Sequence, residues 1–283
     1  MIELTLGFSP CPNDTFIFDA LVNNRIDRDG VNFNVSLGDV EWLNKMAVSS
    51  IFDVTKLSFG AIAEVSAEYQ ILDAGSALGT GCGPLLISKE AIPADPDRLN
   101  SLKIAIPGRK TTANLLLSMA FPGIKNKEEM LFSEIEDAVL SGRVDAGLII
   151  HENRFTYELK GLKKITDLGQ YWEERTGMPI PLGCIAIHRS LPETLKEEVS
   201  NLIRLSIQNA FEHPEVPMEY VAKHSQEMSR EVMNKHIALY VNSYSLSLGK
   251  KGRAAVELLI KTGFENNLIR MPVEPLFAGI REN

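Results

Sequence analysis

The chain has 283 residues, 45% of them hydrophobic, enough to bury one large core or two moderate ones. Its 29 basic and 37 acidic residues give a formal net charge of -8, and without a basic run this argues against nucleic-acid binding through phosphates. Cys11, Cys82 and Cys184 are too few and too widely spaced for a disulfide framework or a CxxC zinc pair, and no apolar run approaches a membrane span.

Met1 to Phe8 alternates like a strand and lacks the pattern of a secretory signal, so a cytoplasmic, soluble protein with reduced thiols is expected. Ser9-Pro10-Cys11-Pro12-Asn13-Asp14-Thr15 forms the loop after this strand, and Phe16 to Val22 carries helical spacing. Asn13, Asp14 and Thr15 are all good N-cap types. A helix start there would offer free N–H groups to a ligand carboxylate. A capped turn with no further role reads equally well.

Val31 to Leu37 reads as a second strand and Asp39 to Ala47 as a second helix. Asp53 to Ala61 is a short strand running into a helix, with Lys56 and Ser58 two apart and so on one face. For Lys56 alone a solvated side chain is the preferred reading. Gly75 to Pro84 is glycine-rich and contains GxGxG, but it precedes a strand, whereas a nucleotide loop follows one and opens a helix. Its glycines are expected to permit tight turns or close backbone approach.

Lys89 to Asn100 separates the two halves. Lys103 to Ile106 reads as a strand, Pro107 to Thr112 as its loop and Ala113 to Ala120 as a helix, repeating the N-terminal design. Thr111 and Thr112 at that helix start, with Arg109 near, make the stronger of the two anion candidates. Phe132 to Val139 resembles a capped helix, and Gly142 ends the following turn. Val144 to Ile150 has the look of a buried parallel strand ending on His151, ahead of the charged and aromatic Glu152 to Tyr157. Open α/β sheets bind ligands beyond the carboxyl ends of their strands, and an imidazole suits proton transfer near neutral pH. On the local sequence alone, a histidine ending a strand is read first as satisfying a nearby backbone group.

Tyr157 to Gly169 is mixed, and Trp172 to Gly177 is polar with an aromatic. Pro179 to His188 reads as a loop and a buried strand, with His188 at the surface. From Pro192 the chain is mainly helical, over 195–211, 217–224, 229–240 and 252–262. His213, His224 and His236 stand at no metal-ligand spacing and read as surface or satisfied side chains. The tail from Met271 is expected to pack as an edge.

Strands alternate with helices through residue 190, which predicts an α/β protein of two lobes facing across a ligand cleft. Crossovers near Ser88 and Pro181 would divide it into a larger discontinuous lobe, 1–88 and 185–283, and a smaller one, 89–184.

Three stretches taken together resemble the 1,4-dihydroxy-6-naphthoate synthase family: Ser9 to Phe16, Thr55-Lys56-Leu57-Ser58, and Ile150-His151-Glu152-Asn153-Arg154-Phe155-Thr156-Tyr157. Pro107 to Ala113 and Trp172 to Gly177 fit the same family, and the resemblance spans nearly the whole chain. It implies a two-lobed fold of the periplasmic-binding-protein-like kind (type II) in a cytoplasmic enzyme of the futalosine route to menaquinone. The implied reaction takes cyclic dehypoxanthinyl futalosine, releases its sugar-derived part and leaves 1,4-dihydroxy-6-naphthoate, a carbon–carbon lyase step needing no cofactor or metal. His151 corresponds to the family's proposed catalytic base, and Lys56, Leu57, Ser58, Thr111 and Thr112 fall on substrate-contacting segments. Ser9, Asn13, Asp14 and Arg154 complete the substrate-binding candidates. The expected partner is a small-molecule carboxylate, with no nucleic acid or membrane, and both monomer and homodimer remain open. Chorismate dehydratase of the same pathway and a non-enzymatic solute-binding protein are the alternatives. Cys11 as a nucleophile is disfavoured, since no histidine is tied to it in sequence.

Overall fold

The computed structural model describes residues 1–225 and 229–279, and within them eleven strands form two sheets. In chain order they are β1 (Ile2–Phe8), β2 (Val31–Leu37), β3 (Val54–Ser58), β4 (Tyr69–Ile71), β5 (Ala77–Gly79), β6 (Leu85–Ser88), β7 (Ile104–Ile106), β8 (Lys127–Glu129), β9 (Ala146–Ile149), β10 (Lys163–Asp167) and β11 (Ile180–His188).

The first sheet runs β2-β1-β3-β11-β4, with β5 also paired to β11. β1 is parallel to both neighbours, while β11 runs antiparallel to β3, β4 and β5. The second sheet runs β10-β6-β9-β7-β8. There β7 is parallel to β8 and β9, and β6 is antiparallel to β9 and β10. The chain thus passes from the first sheet to the second between β5 and β6 and returns between β10 and β11.

Leu85–Ser88, expected in the first lobe, pairs in the second sheet, and β11 begins at Ile180, ahead of the expected boundary at 185. All four residues of β6 are buried, so their apolar run fits an inner strand of either sheet and its partner is not written locally.

Helix Pro12–Val22 follows β1 and is buried over nearly its whole length, packed against helices Glu193–Glu212 and Arg230–Tyr240. In Glu193–Glu212 the buried residues Leu195, Val199, Leu202, Ile203, Ser206, Ile207 and Ala210 recur at helical spacing. One apolar cluster joins Leu57, Tyr69 and Ile71 of the first sheet to Leu86, Ile104 and Leu148 of the second, so packing is continuous between them. The tail reaches β4 through a parallel bridge between Phe277 and Ile71.

Two elements differ from their sequence reading. The mixed and polar stretch around Trp172 is helix Leu168–Thr176, started by Asp167, which accepts from Gly169 N and Gln170 N, and stopped by Gly177 at φ 66°. Lys127–Glu129 is an edge strand of three charged residues, a composition that suits an exposed sheet margin and hides the strand from hydrophobic patterning. Among the described residues no helix is long and apolar enough to cross a membrane.

Candidate active site

β9 ends at Ile149, and the backbone turns sharply two residues later, where His151 adopts a left-handed φ of 56°. That conformation is uncommon outside glycine and is found at sites whose surroundings enforce it. Here it places the imidazole among the side chains that line a single cavity, with Asp14, Lys56 and Thr112 on the other walls. Desolvation dominates the ring's electrostatics and pushes its pKa down to about 4, with Asp14 opposing and Lys56 reinforcing the shift. The imidazole is therefore uncharged near neutral pH and available as a proton acceptor.

Across the cavity Ser9 comes from the loop after β1, Asn13 and Asp14 from the first turn of helix Pro12–Val22, and Lys56 and Ser58 from the end of β3. Lys56, expected in solvent, is 5% exposed and pairs with the buried Asp14 at 2.8 Å. Extended alternation at the end of a buried strand turns both Lys56 and Ser58 to the cavity and puts Leu57 in the core between them. Asp14 also accepts from Ser9 Oγ at 2.7 Å and from Asn13 Nδ2 at 2.8 Å. A carboxylate with these donors is satisfied where it stands, as a buried charge must be.

The third wall is the start of helix Thr112–Ala120. Thr111 is its N-cap: the hydroxyl accepts from Asn114 N and donates to Gly108 O. Thr112 Oγ1 donates to Leu182 O at 2.7 Å and accepts from Gly60 N. Both hydroxyl protons are thus engaged within the protein. The first N–H groups of a helix lack intrahelical acceptors, and the capping bond satisfies only that of Asn114. The backbone N–H groups of Thr112 and Ala113 are what this wall offers an anion.

Arg154 lies apart from the cavity lining. Its guanidinium donates to Gly83 O and Asp167 Oδ2, both at 2.6 Å, and so ties the β5–β6 crossing to the start of helix Leu168–Thr176. Two further residues at the site, His236 and Tyr240, come from helix Arg230–Tyr240. Tyr240 lines the cavity, while His236 stacks on His151 and is fully buried. The signal for them was the buried spacing Met233, His236, Tyr240, which places a histidine on the core face of a helix. Cys11 is buried, and burial with the nearby Glu152 pushes its thiol well up, so it stays protonated and unsuited to nucleophilic work. Among the described residues no group of three or more His, Cys, Asp or Glu side chains is placed to hold a metal ion.

The model of a family described as menaquinone biosynthesis matches residues 4–265. A Thermus thermophilus protein named 1,4-dihydroxy-6-naphtoate synthase is 44% identical over 98% of this chain and 100% of its own length. The chain belongs to this menaquinone biosynthesis family. A Streptomyces coelicolor member of the same name is 40% identical over 94% of both chains. A crystal structure from Archaeoglobus fulgidus superposes with a TM-score of 0.89 at 36% identity, covering 94% of this chain and 98% of the other. The alkanesulfonate-binding protein of Xanthomonas axonopodis pv. citri shares the fold at 13% identity, with a TM-score of 0.75 and 98% of each chain covered. The chain thus has a periplasmic-binding-protein-like α/β fold of two sheets, and the Thermus and Streptomyces relatives carry the name of an enzyme.

Proposed function

We propose that this chain is a 1,4-dihydroxy-6-naphthoate synthase, converting cyclic dehypoxanthinyl futalosine to 1,4-dihydroxy-6-naphthoate in the cytoplasm. The observation that carries the reading is the His151 imidazole opening on the same cavity as the helix start at Thr112 and Ala113, whose N–H groups no described residue accepts from, in a chain 44% identical to an enzyme of that name. The N–H groups of Thr112 and Ala113 would anchor the substrate's ring carboxylate, and the Lys56 and Ser58 side chains would face the remainder. His151 would remove the proton that starts carbon–carbon cleavage, and aromatisation of the bicyclic product draws the reaction forward. A positioned general base contributes about 10²–10⁴-fold, so orientation within the cavity supplies much of the remaining acceleration. We also take the two sheets to mark two lobes, with the cavity between elements of both.

The test is turnover of cyclic dehypoxanthinyl futalosine by the wild type and by His151→Ala, with products identified by mass spectrometry. Dihydroxynaphthoate from the wild type and almost none from the folded variant is the expected result. Product formed equally by the variant would remove His151 from its role, and tight binding of a small carboxylate without turnover would return the solute-binding alternative.

A further inference from the structure

His236 takes no part in the chemistry above, yet it is fully buried beside the base. Its Nε2 lies 2.9 Å from Asn13 Oδ1. The Asn13 amide is fixed, because its Nδ2 donates to Asp14 Oδ1, and Asp14 is itself held by Lys56 and Ser9. Asn13 therefore presents a carbonyl oxygen to His236, and Nε2 must carry the hydrogen. Nδ1 is left as a bare acceptor, buried and without a partner among the described residues. A proton there would be an unpaired buried charge. One neutral tautomer results.

His151 has the opposite surroundings. Among the described residues none hydrogen-bonds its ring, so no carboxylate or carbonyl sets its orientation. Two rings do. Phe132 meets it edge to face with centroids 5.0 Å apart, and His236 lies nearly parallel, 13° between planes and 6.1 Å between centroids. Tyr240 packs against His236 in turn, with ring centroids 4.6 Å apart.

We propose that His236 is a positioning residue for the base: it sets the plane of the His151 imidazole by stacking, and as a fixed neutral tautomer it leaves His151 as the ring that takes the proton. This rests on His151 being the base. The two ends of His236 have separable jobs, since the ring faces His151 and Nε2 braces the Asn13–Asp14–Lys56 wall that meets the substrate.

Two variants separate them. His236→Gln keeps a donor toward Asn13 and removes the ring, whereas His236→Phe keeps a ring and removes the donor. Steady-state kinetics should show KM unchanged and kcat about 10–100-fold lower for His236→Gln, the cost of a misplaced base. For His236→Phe, KM should rise about tenfold, as for a lost hydrogen bond to a buried group, with kcat near wild type. Nitrogen-15 spectra of the histidine rings, assigned against His151→Asn, should show His236 protonated at Nε2 alone and His151 perturbed more by His236→Gln than by His236→Phe. A charged or Nδ1-protonated His236, or His151 signals and kcat unchanged in His236→Gln, would overturn the proposal. So would losses in both variants that only track a lower melting temperature. Wild-type protein that fails to turn over the futalosine substrate would defeat the functional reading and with it the positioning role, while the spectra would still decide the tautomer of His236 and its stacking on His151.

Discussion

At the residue scale the site turns on the backbone of His151. A left-handed conformation costs an ordinary side chain roughly 1–2 kcal/mol, and asparagine tolerates it better than alanine. His151→Asn and His151→Ala should therefore both lose turnover, while chemical denaturation should find the asparagine variant more stable by about 1 kcal/mol. Equal stability would mean that the turn relaxes once the imidazole is gone. The depressed pKa of the ring gives a second expectation. As a base needing its neutral form, His151 should hold kcat/KM level from neutral pH downward and lose it only as pH falls through about 4. An acidic limb centred at the ordinary histidine value would contradict the burial argument. The same shift affects stability. Between the ordinary value of 6.5 and about 4 the unfolded chain binds a proton that the folded one refuses, so stability falls on acidification through that window and is regained above it.

At the element scale the cavity is a meeting of helix starts and strand ends. Helix Thr112–Ala120 presents its first residues to the cavity in this orientation only while its cap holds. Thr111→Ala removes that cap and should cost about 1 kcal/mol of stability while raising KM more than it lowers kcat. Thr111→Ser should restore both in denaturation and kinetic assays, and failure of the serine variant would move the role of Thr111 away from capping. The neighbouring helix Phe59–Val65 can lie against this start because Gly60 has no side chain: a Cβ there would stand 2.9 Å from Thr111 O. Its N–H instead reaches Thr112 Oγ1, fixing the two helix starts relative to each other.

At the scale of the whole molecule the two sheets are locked where the chain crosses between them. Gly83 sits against Gly169 so closely that a Cβ on Gly83 would fall 2.2 Å from Gly169 Cα, and the Arg154 clamp closes over the same point. Backbone cannot yield as a flexible side chain can. Gly83→Ala should destabilise the protein by about 1–3 kcal/mol, visible as a lower melting temperature, and should impair turnover because Gly83 and Pro84 line the cavity. An unchanged melting temperature would show that the crossing is looser than its packing indicates. Arg154 belongs here too, as a fastener of the scaffold on which His151 stands.

The sequence alone determined the alternation of strands and helices, the hydroxyl-capped helix start at Thr111 and the histidine just past a strand. Hydrophobic period and cap chemistry are local properties, settled within a few residues. The resemblance carried by the Ser9, Lys56 and His151 segments added the family and the reaction. Tertiary structure decided which polar residues are buried and against what. Lys56 lies in the interior because Asp14, 42 residues away, meets it there, and Arg154 faces Asp167 and Gly83 instead of the cavity. β6 joins the second sheet because its buried edges find β9 and β10. His236 reaches the base through a contact with Asn13 that spans 223 residues. No window of sequence holds both partners of such a contact, and a histidine on a helix reads the same whether water or another imidazole lies beside it.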